Sequence, residues 1–189
     1  GDAQIIATSR TRDVIASAGQ EELDYFTVHA AEQLESYRGR LKASSDEKSS
    51  HEASYWISYF EALVEAIPEL SIRLPNVAFD GRLTFHDGSN RADLLTLQGH
   101  TDSDTVLYLP RDGVVFMGDL LFVGYHPFLA DGDPLHLLRS LKEIGQLDAT
   151  RFVPGHGPVG TRDDLEALIA YVEQCMDIAK LLVNKGDVS

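Results

Sequence analysis

The sequence predicts a layered α/β domain, and three observations carry that expectation. The middle of the chain is β-rich, with short apolar runs separated by turns containing glycine and aspartate. Stretches on both sides of it repeat apolar residues every three or four positions, the spacing of one helical face. Three of the short runs end at a glycine beside a histidine or an aspartate, at Gly99-His100, Gly118-Asp119 and Gly155-His156. Loops beyond strand ends are where sheet-based proteins tend to build their sites.

Taken in order, Ala3 to Ala7 reads as a short strand, and Thr8 to Ala18 as a helix ended by Gly19. From Glu21 to Lys42, the residues Leu23, Phe26, Ala30, Leu34, Tyr37 and Leu41 form one face. A polar linker over 43–50, ASSDEKSS, leads to a helix from Tyr55 to Ile67 that Pro68 closes. Residues 20–68 are thus expected to be an antiparallel helical pair within one domain spanning residues 1–189. Val77 to Phe79 and Arg82 to Phe85 flank Asp80-Gly81, a two-residue hairpin signal. After a strand from Asp93 to Gln98, the runs Thr105–Leu109 and Val114–Met117 flank Pro110-Arg111-Asp112-Gly113. This second hairpin sets Leu109 against Val114 and carries Asp104 back opposite Asp119. Val114 to Met117 is continuously apolar, the pattern of a strand buried on both faces. Asp133-Pro134 opens a helix that Gly145 stops, and Arg151 to Val153 is a further strand. Thr161 with Asp164 resembles a capping box for a last helix, which frays near Gly186.

With 189 residues and 43% hydrophobic content, the chain is long enough for one sizeable core. A formal charge of -14 argues against nucleic acid or an anionic membrane as partner. The single cysteine, Cys175, excludes an intrachain disulfide framework and any Cys-rich zinc finger. Its place on a helical apolar face predicts a packed thiol. No apolar run is long enough to span a bilayer and the N-terminus has no signal-peptide layout, so a cytoplasmic location is expected.

His100, Asp119 and His156 are the candidate site. A lone loop histidine is usually just solvated, but three such residues at the ends of strands that share a sheet favour metal ligation. Imidazole and carboxylate together suit zinc, iron or manganese. Asp102 and Asp104 are either carboxylates that orient the His100 ring or turn residues. Tyr125 and His126 follow Asp119 closely and are candidates for substrate contact at the mouth of the site. His126 is alternatively a third nitrogen ligand or a solvated loop residue. His29, His51, His86 and His136 read as surface residues.

The segments GHTDSDTVLYLP, VVFMGDLLF and FVPGHGPVG resemble, in order and spacing, the last three metal-binding motifs of the metallo-β-lactamase-fold hydrolases. The resemblance is strongest from Asp93 to Leu168. It implies an αββα sandwich with two metal ions, usually zinc, at the end of its sheets. By the match, His100 completes the first metal site, His156 the second, and Asp119 bridges both as the catalytic carboxylate. The family's His-x-His-x-Asp-His motif is absent. The expected fold is therefore the C-terminal half of such a sandwich with an inserted helical pair. The bare sheet would be covered by a retained N-terminal fragment or by a second copy of the chain. Each metal keeps one terminal ligand plus the shared aspartate, fewer than the three or four of a tight zinc site, so weak occupancy and no activity are expected of this chain alone. In an intact protein the resemblance implies hydrolysis, by a metal-bound hydroxide, of a small-molecule ester, thioester, amide or phosphoester. The alternative is a non-catalytic binding or interaction module built on a half-domain.

Overall fold

The computed structural model describes residues 3–185. They form two compact units, the first taking in Arg10–Asn76 and the second Ile6–Ser9 with the described residues from Val77 onward. Helix α1 (Ser9–Ala43) and helix α2 (Glu47–Ala66) make up most of the first unit. The predicted break at Gly19 does not occur, and α1 runs through it. A lone glycine costs a helix only about 1 kcal/mol, and the Gln-Glu-Glu that follows consists of good helix formers. The linker is also shorter than expected. Asp46 caps α2 by accepting from the Ser49 N–H at 2.9 Å, so the helix starts at Glu47 rather than near Tyr55. The pair packs through Ala30, Leu34 and Phe60, with Tyr37 stacked between Trp56 and Phe60 at 5.8 and 5.7 Å.

In the second unit, β1 (Ile6–Thr8) pairs in parallel with β2 (Val77–Phe79) as a two-stranded sheet. This corrects the expected hairpin about Asp80-Gly81. β2 is engaged by β1, and Ser9 Oγ donates to the Asp80 carboxylate at 2.9 Å, so the turn passes the chain from one sheet to the next. The larger sheet holds β3 (Arg82–Asp87), β4 (Asn90–Leu97), β5 (Asp104–Leu109), β6 (Val114–Phe122) and β7 (Arg151–His156) in that order. β3 to β6 run antiparallel, and β7 lies parallel to β6. The second hairpin forms with Leu109 opposite Val114.

One face of this sheet carries Leu95, Leu97, Val106, Tyr108, Val115, Met117 and Phe152. It is buried by Leu137, Leu141 and Ile144 of α3 (Pro134–Ile144) and by Leu165, Leu168 and Val172 of α4 (Arg162–Lys185). Asp133 caps α3 as predicted, accepting from the Leu135 and His136 N–H groups. Those bonds hold its carboxyl below the usual carboxylate range. Of the predicted Thr161–Asp164 box the returning half forms: Asp164 accepts from both the N–H and the hydroxyl of Thr161. Arg162 donates to the carbonyls of Gly145, Leu147 and Ala149 at 2.8–3.1 Å, tying the end of α3 to the start of α4.

The other face carries a row that crosses all five strands: Leu83, Leu94, Leu107, Phe116 and Val153 are successive neighbours. Among the described residues no helix of this unit packs its buried face on it; Phe116 is 43% exposed and the other four are half-buried. Of the run Val114 to Met117, predicted to be buried on both faces, Val114, Val115 and Met117 are buried and Phe116 alone is exposed. Cys175 is exposed rather than packed, because α4 turns Val172 and Met176 inward and leaves the thiol about 100° away from Met176. The expected fraying near Gly186 lies outside the described residues.

Candidate active site

Two glycines shape the centre. β6 runs past its predicted end at Met117 by bulging at Gly118, whose φ of 53° is the left-handed conformation glycine tolerates. The bulge shifts the register with β7 and turns Asp119 towards the strand ends. At Gly155 on β7 a Cβ would stand 1.8 Å from Asp119 Oδ1, so only glycine lets the carboxylate lie against that backbone.

The result brings the three predicted residues together. His100 Nε2 is 3.5 Å from Asp119 Oδ2, and His156 Nε2 is 3.5 Å from Asp119 Oδ1. Each carboxylate oxygen thus faces a different imidazole. Two donors bound at zinc distances with a tetrahedral angle between them stand about 3.4 Å apart, so each pair fits one side of a bridged metal site. Among the described residues no group of three or more His, Cys, Asp or Glu side chains could hold a metal ion by itself. The two findings agree, because each side of Asp119 presents only two donors.

His100 is held from two directions. Its Nδ1 lies 2.9 Å from the Phe128 carbonyl oxygen, which can only accept, so Nδ1 carries the proton and Nε2 is left as the donor atom facing Asp119. Its backbone N–H donates to Asp104, which also accepts from the N–H and hydroxyl of Thr101. Of the two readings of Asp104, the turn residue is the one observed: it fixes the turn, and the ring is fixed by the 124–133 loop. Nor does Asp104 pair with Asp119, because the ladder between β5 and β6 ends at Leu107–Phe116 before the bulge. The same loop closes on the turn again where the Asp133 N–H donates to the Gly99 carbonyl at 3.0 Å. A Cβ on Gly132 would meet that oxygen at 2.3 Å. Phe128 and Gly132 escaped the sequence reading because a backbone carbonyl and a bare Cα leave no residue-type signal.

His156 stacks on Phe122 with ring centres 4.8 Å apart and planes at 14°. Tyr125 is well exposed, and His126 is exposed with its Nδ1 2.8 Å from the Tyr171 hydroxyl. That bond directs His126 to α4 rather than to the two imidazoles. Tyr171, a further residue the sequence did not single out, has its own pKa raised by a hydrogen bond with Cys175 and by burial. His51 and His86 are exposed as read, while His29 and His136 are half-buried.

The sequence model of the Metallo-beta-lactamase superfamily matches residues 9–156. A hydroxyacylglutathione hydrolase of Synechococcus is 38% identical over 81 residues, which are 42% of this chain and 29% of that protein. A beta-lactamase-like protein 2 homolog of Caenorhabditis elegans is 33% identical over 102 residues, 51% of this chain and 33% of that one. A metallo-beta-lactamase family protein of Thermus thermophilus, 18% identical, superposes with a TM-score of 0.55 over 93% of this chain and 55% of its own length. The chain thus matches about a third of the length of these curated relatives and about half of that solved structure. Among the described residues no helix is long and apolar enough to cross a membrane. On the match over residues 9–156, with its two histidines and aspartate gathered at one end of an α/β sheet, this chain belongs to the metallo-beta-lactamase superfamily.

Proposed function

We propose that this chain carries part of the active site of a metal-dependent hydrolase acting on a small-molecule thioester or related ester. The observation that carries the reading is the split carboxylate, with each Asp119 oxygen 3.5 Å from a different Nε2. His100 with Asp119 would hold one ion, and Asp119 with His156 a second; zinc suits these donors, as do iron and manganese. A bound divalent ion there would lower the pKa of water and stabilise the anion that develops on the substrate. The chain's own groups supply position. The Phe128 carbonyl keeps the His100 proton on Nδ1, and Phe122 fixes the plane of His156. The thioester preference is supported by the relatives named hydroxyacylglutathione hydrolase.

Elemental analysis after exhaustive dialysis tests this. The 189-residue chain should retain zinc weakly and below one equivalent, and Asp119→Ala should abolish retention. Equal retention by wild type and Asp119→Ala would sink the reading. Two tightly held ions would instead show that ligands come from elsewhere in the assembly. Because two donors per side are few, a non-catalytic interaction module is the second reading, favoured if no metal binds at any concentration.

The proposal extends to assembly. The half-buried row from Leu83 to Val153, with Phe116 exposed at its middle, supports a contact for a further layer, either a second copy of this chain or an N-terminal part of the same fold. Light scattering with intact mass analysis decides it: a monodisperse 20.8 kDa monomer that binds no hydrophobic dye would overturn this part.

A further inference from the structure

Beside His156 lies a cleft of about 270 Å³ between the start of the 124–133 loop and α4. Phe122, Val123, Tyr125, Leu168 and Tyr171 are among its walls, and Ala167 forms part of the α4 side. Three features point to an occupant. First, Phe122 is shared: one contact of its ring is the stack on His156, so a group in this cleft sits next to the candidate centre. Second, most polar side chains in the walls are already engaged, the exposed Tyr125 hydroxyl excepted. His126 and Tyr171 bond each other, and Asp164 accepts from Thr161. The walls therefore offer an incoming group mainly apolar surface, with a carboxylate in the lining that repels anions. Third, the size is selective. A cavity of about 150 Å³ holds benzene, whereas whole drug-sized ligands take roughly 300–1,000 Å³. The cleft suits one apolar group and not an entire substrate.

We infer that this cleft seats an uncharged apolar group of the substrate, an alkyl or aryl group of about six to eight carbons, next to His156. The inference rests on the hydrolase reading for calling the occupant a substrate, but binding in the cleft is independent of metal and turnover. A second apolar groove, lined by Pro127, Leu129 and Met176, meets Tyr171 from its other side but shares no wall with Phe122.

The test is amide chemical-shift perturbation of the metal-free 189-residue chain titrated with 1-hexanol, benzyl alcohol and hexanoate. Both alcohols should shift amides in 122–126 and 164–171 saturably, and hexanoate should bind at least tenfold more weakly. Ala167→Trp should fill the cleft and weaken hexanol at least tenfold, with Ala167→Leu intermediate. Ala170→Trp, on the same helix but outside the lining, should bind as wild type does. Absence of saturable shifts, shifts centred on the Met176 groove, or equal binding by Ala167→Trp would each overturn the inference. None of those results bears on metal retention, which tests the hydrolase reading separately.

Discussion

The two faces of the five-stranded sheet are built from the same strands and are both apolar, yet they reach opposite ends. Val106 and Leu107 are adjacent on β5. Val106 is fully buried under α3 and α4, while Leu107 joins the uncovered row with Phe116 and Val153. A sheet face without a layer against it leaves its apolar side chains in contact with water, at a cost near 25 cal/mol per Å². One face is covered by this unit's own helices, and the other is covered by none of its described helices. The site shares that division. His100, Asp119 and His156 are positioned entirely by elements of the second unit, and among the described residues no group of three or more His, Cys, Asp or Glu side chains could hold a metal ion.

The comparison can be broken by paired substitutions. Phe152→Ala, on the covered face at 0% exposure, should destabilise by about 3–5 kcal/mol in urea unfolding. Phe116→Ala, its counterpart on the uncovered face, should cost about 1 kcal/mol or less in a monomer. A Phe116→Ala cost that grows with protein concentration would mean the row is covered in solution.

Arg162→Ala should cost about 2 kcal/mol, because three carbonyls between α3 and β7 lose a charged donor. Stability unchanged in thermal or urea unfolding would mean water replaces the guanidinium at no cost.

A charge on the row sharpens the contrast further. Phe116→Glu should leave monomer stability within about 0.5 kcal/mol while abolishing self-association seen by light scattering. Loss of folding instead would place Phe116 in the core of this unit.

The smallest effect is expected in acid. Asp93 lies on the covered side of β4, and its bonds to the Arg91 guanidinium and then Thr84 hold its carboxyl below the usual range against the opposing effect of burial. A depressed folded pKa contributes stability that is present above the unfolded value of about 3.9 and is lost as pH falls through the folded value. Asp93→Asn should therefore show a shallower loss of stability below about pH 4 than wild type, read from urea midpoints across that range. An identical acid slope would remove Asp93 from the account.

Much of this was legible in the sequence because it depends on local chemistry. Asp133-Pro134 can cap a helix whatever surrounds it, and the hairpin register about residues 110–113 follows from turn and strand pattern. The three residues that the fold brings together were singled out because histidine and aspartate beside glycine at strand ends is an unusual combination. Some of the differences arose where a distant partner intervened. β2 satisfied its backbone groups with β1 rather than β3, and α1 continued through Gly19, beside which Ile72 packs. The two readings left open for Asp104 were decided in favour of the turn, since the Phe128 carbonyl holds the ring.

By itself the sequence determined most element types, the Asp133 helix cap and the family motifs, and it singled out His100, Asp119 and His156 as the candidate donors, since these depend on side-chain chemistry and near-neighbour spacing. Only the tertiary structure decided the 3.5 Å placement of one carboxylate between two imidazoles, the proton position on His100, and which apolar face of the sheet is covered. Those outcomes depend on which backbone groups meet across the fold, and a carbonyl or a missing Cβ has no letter of its own in the chain.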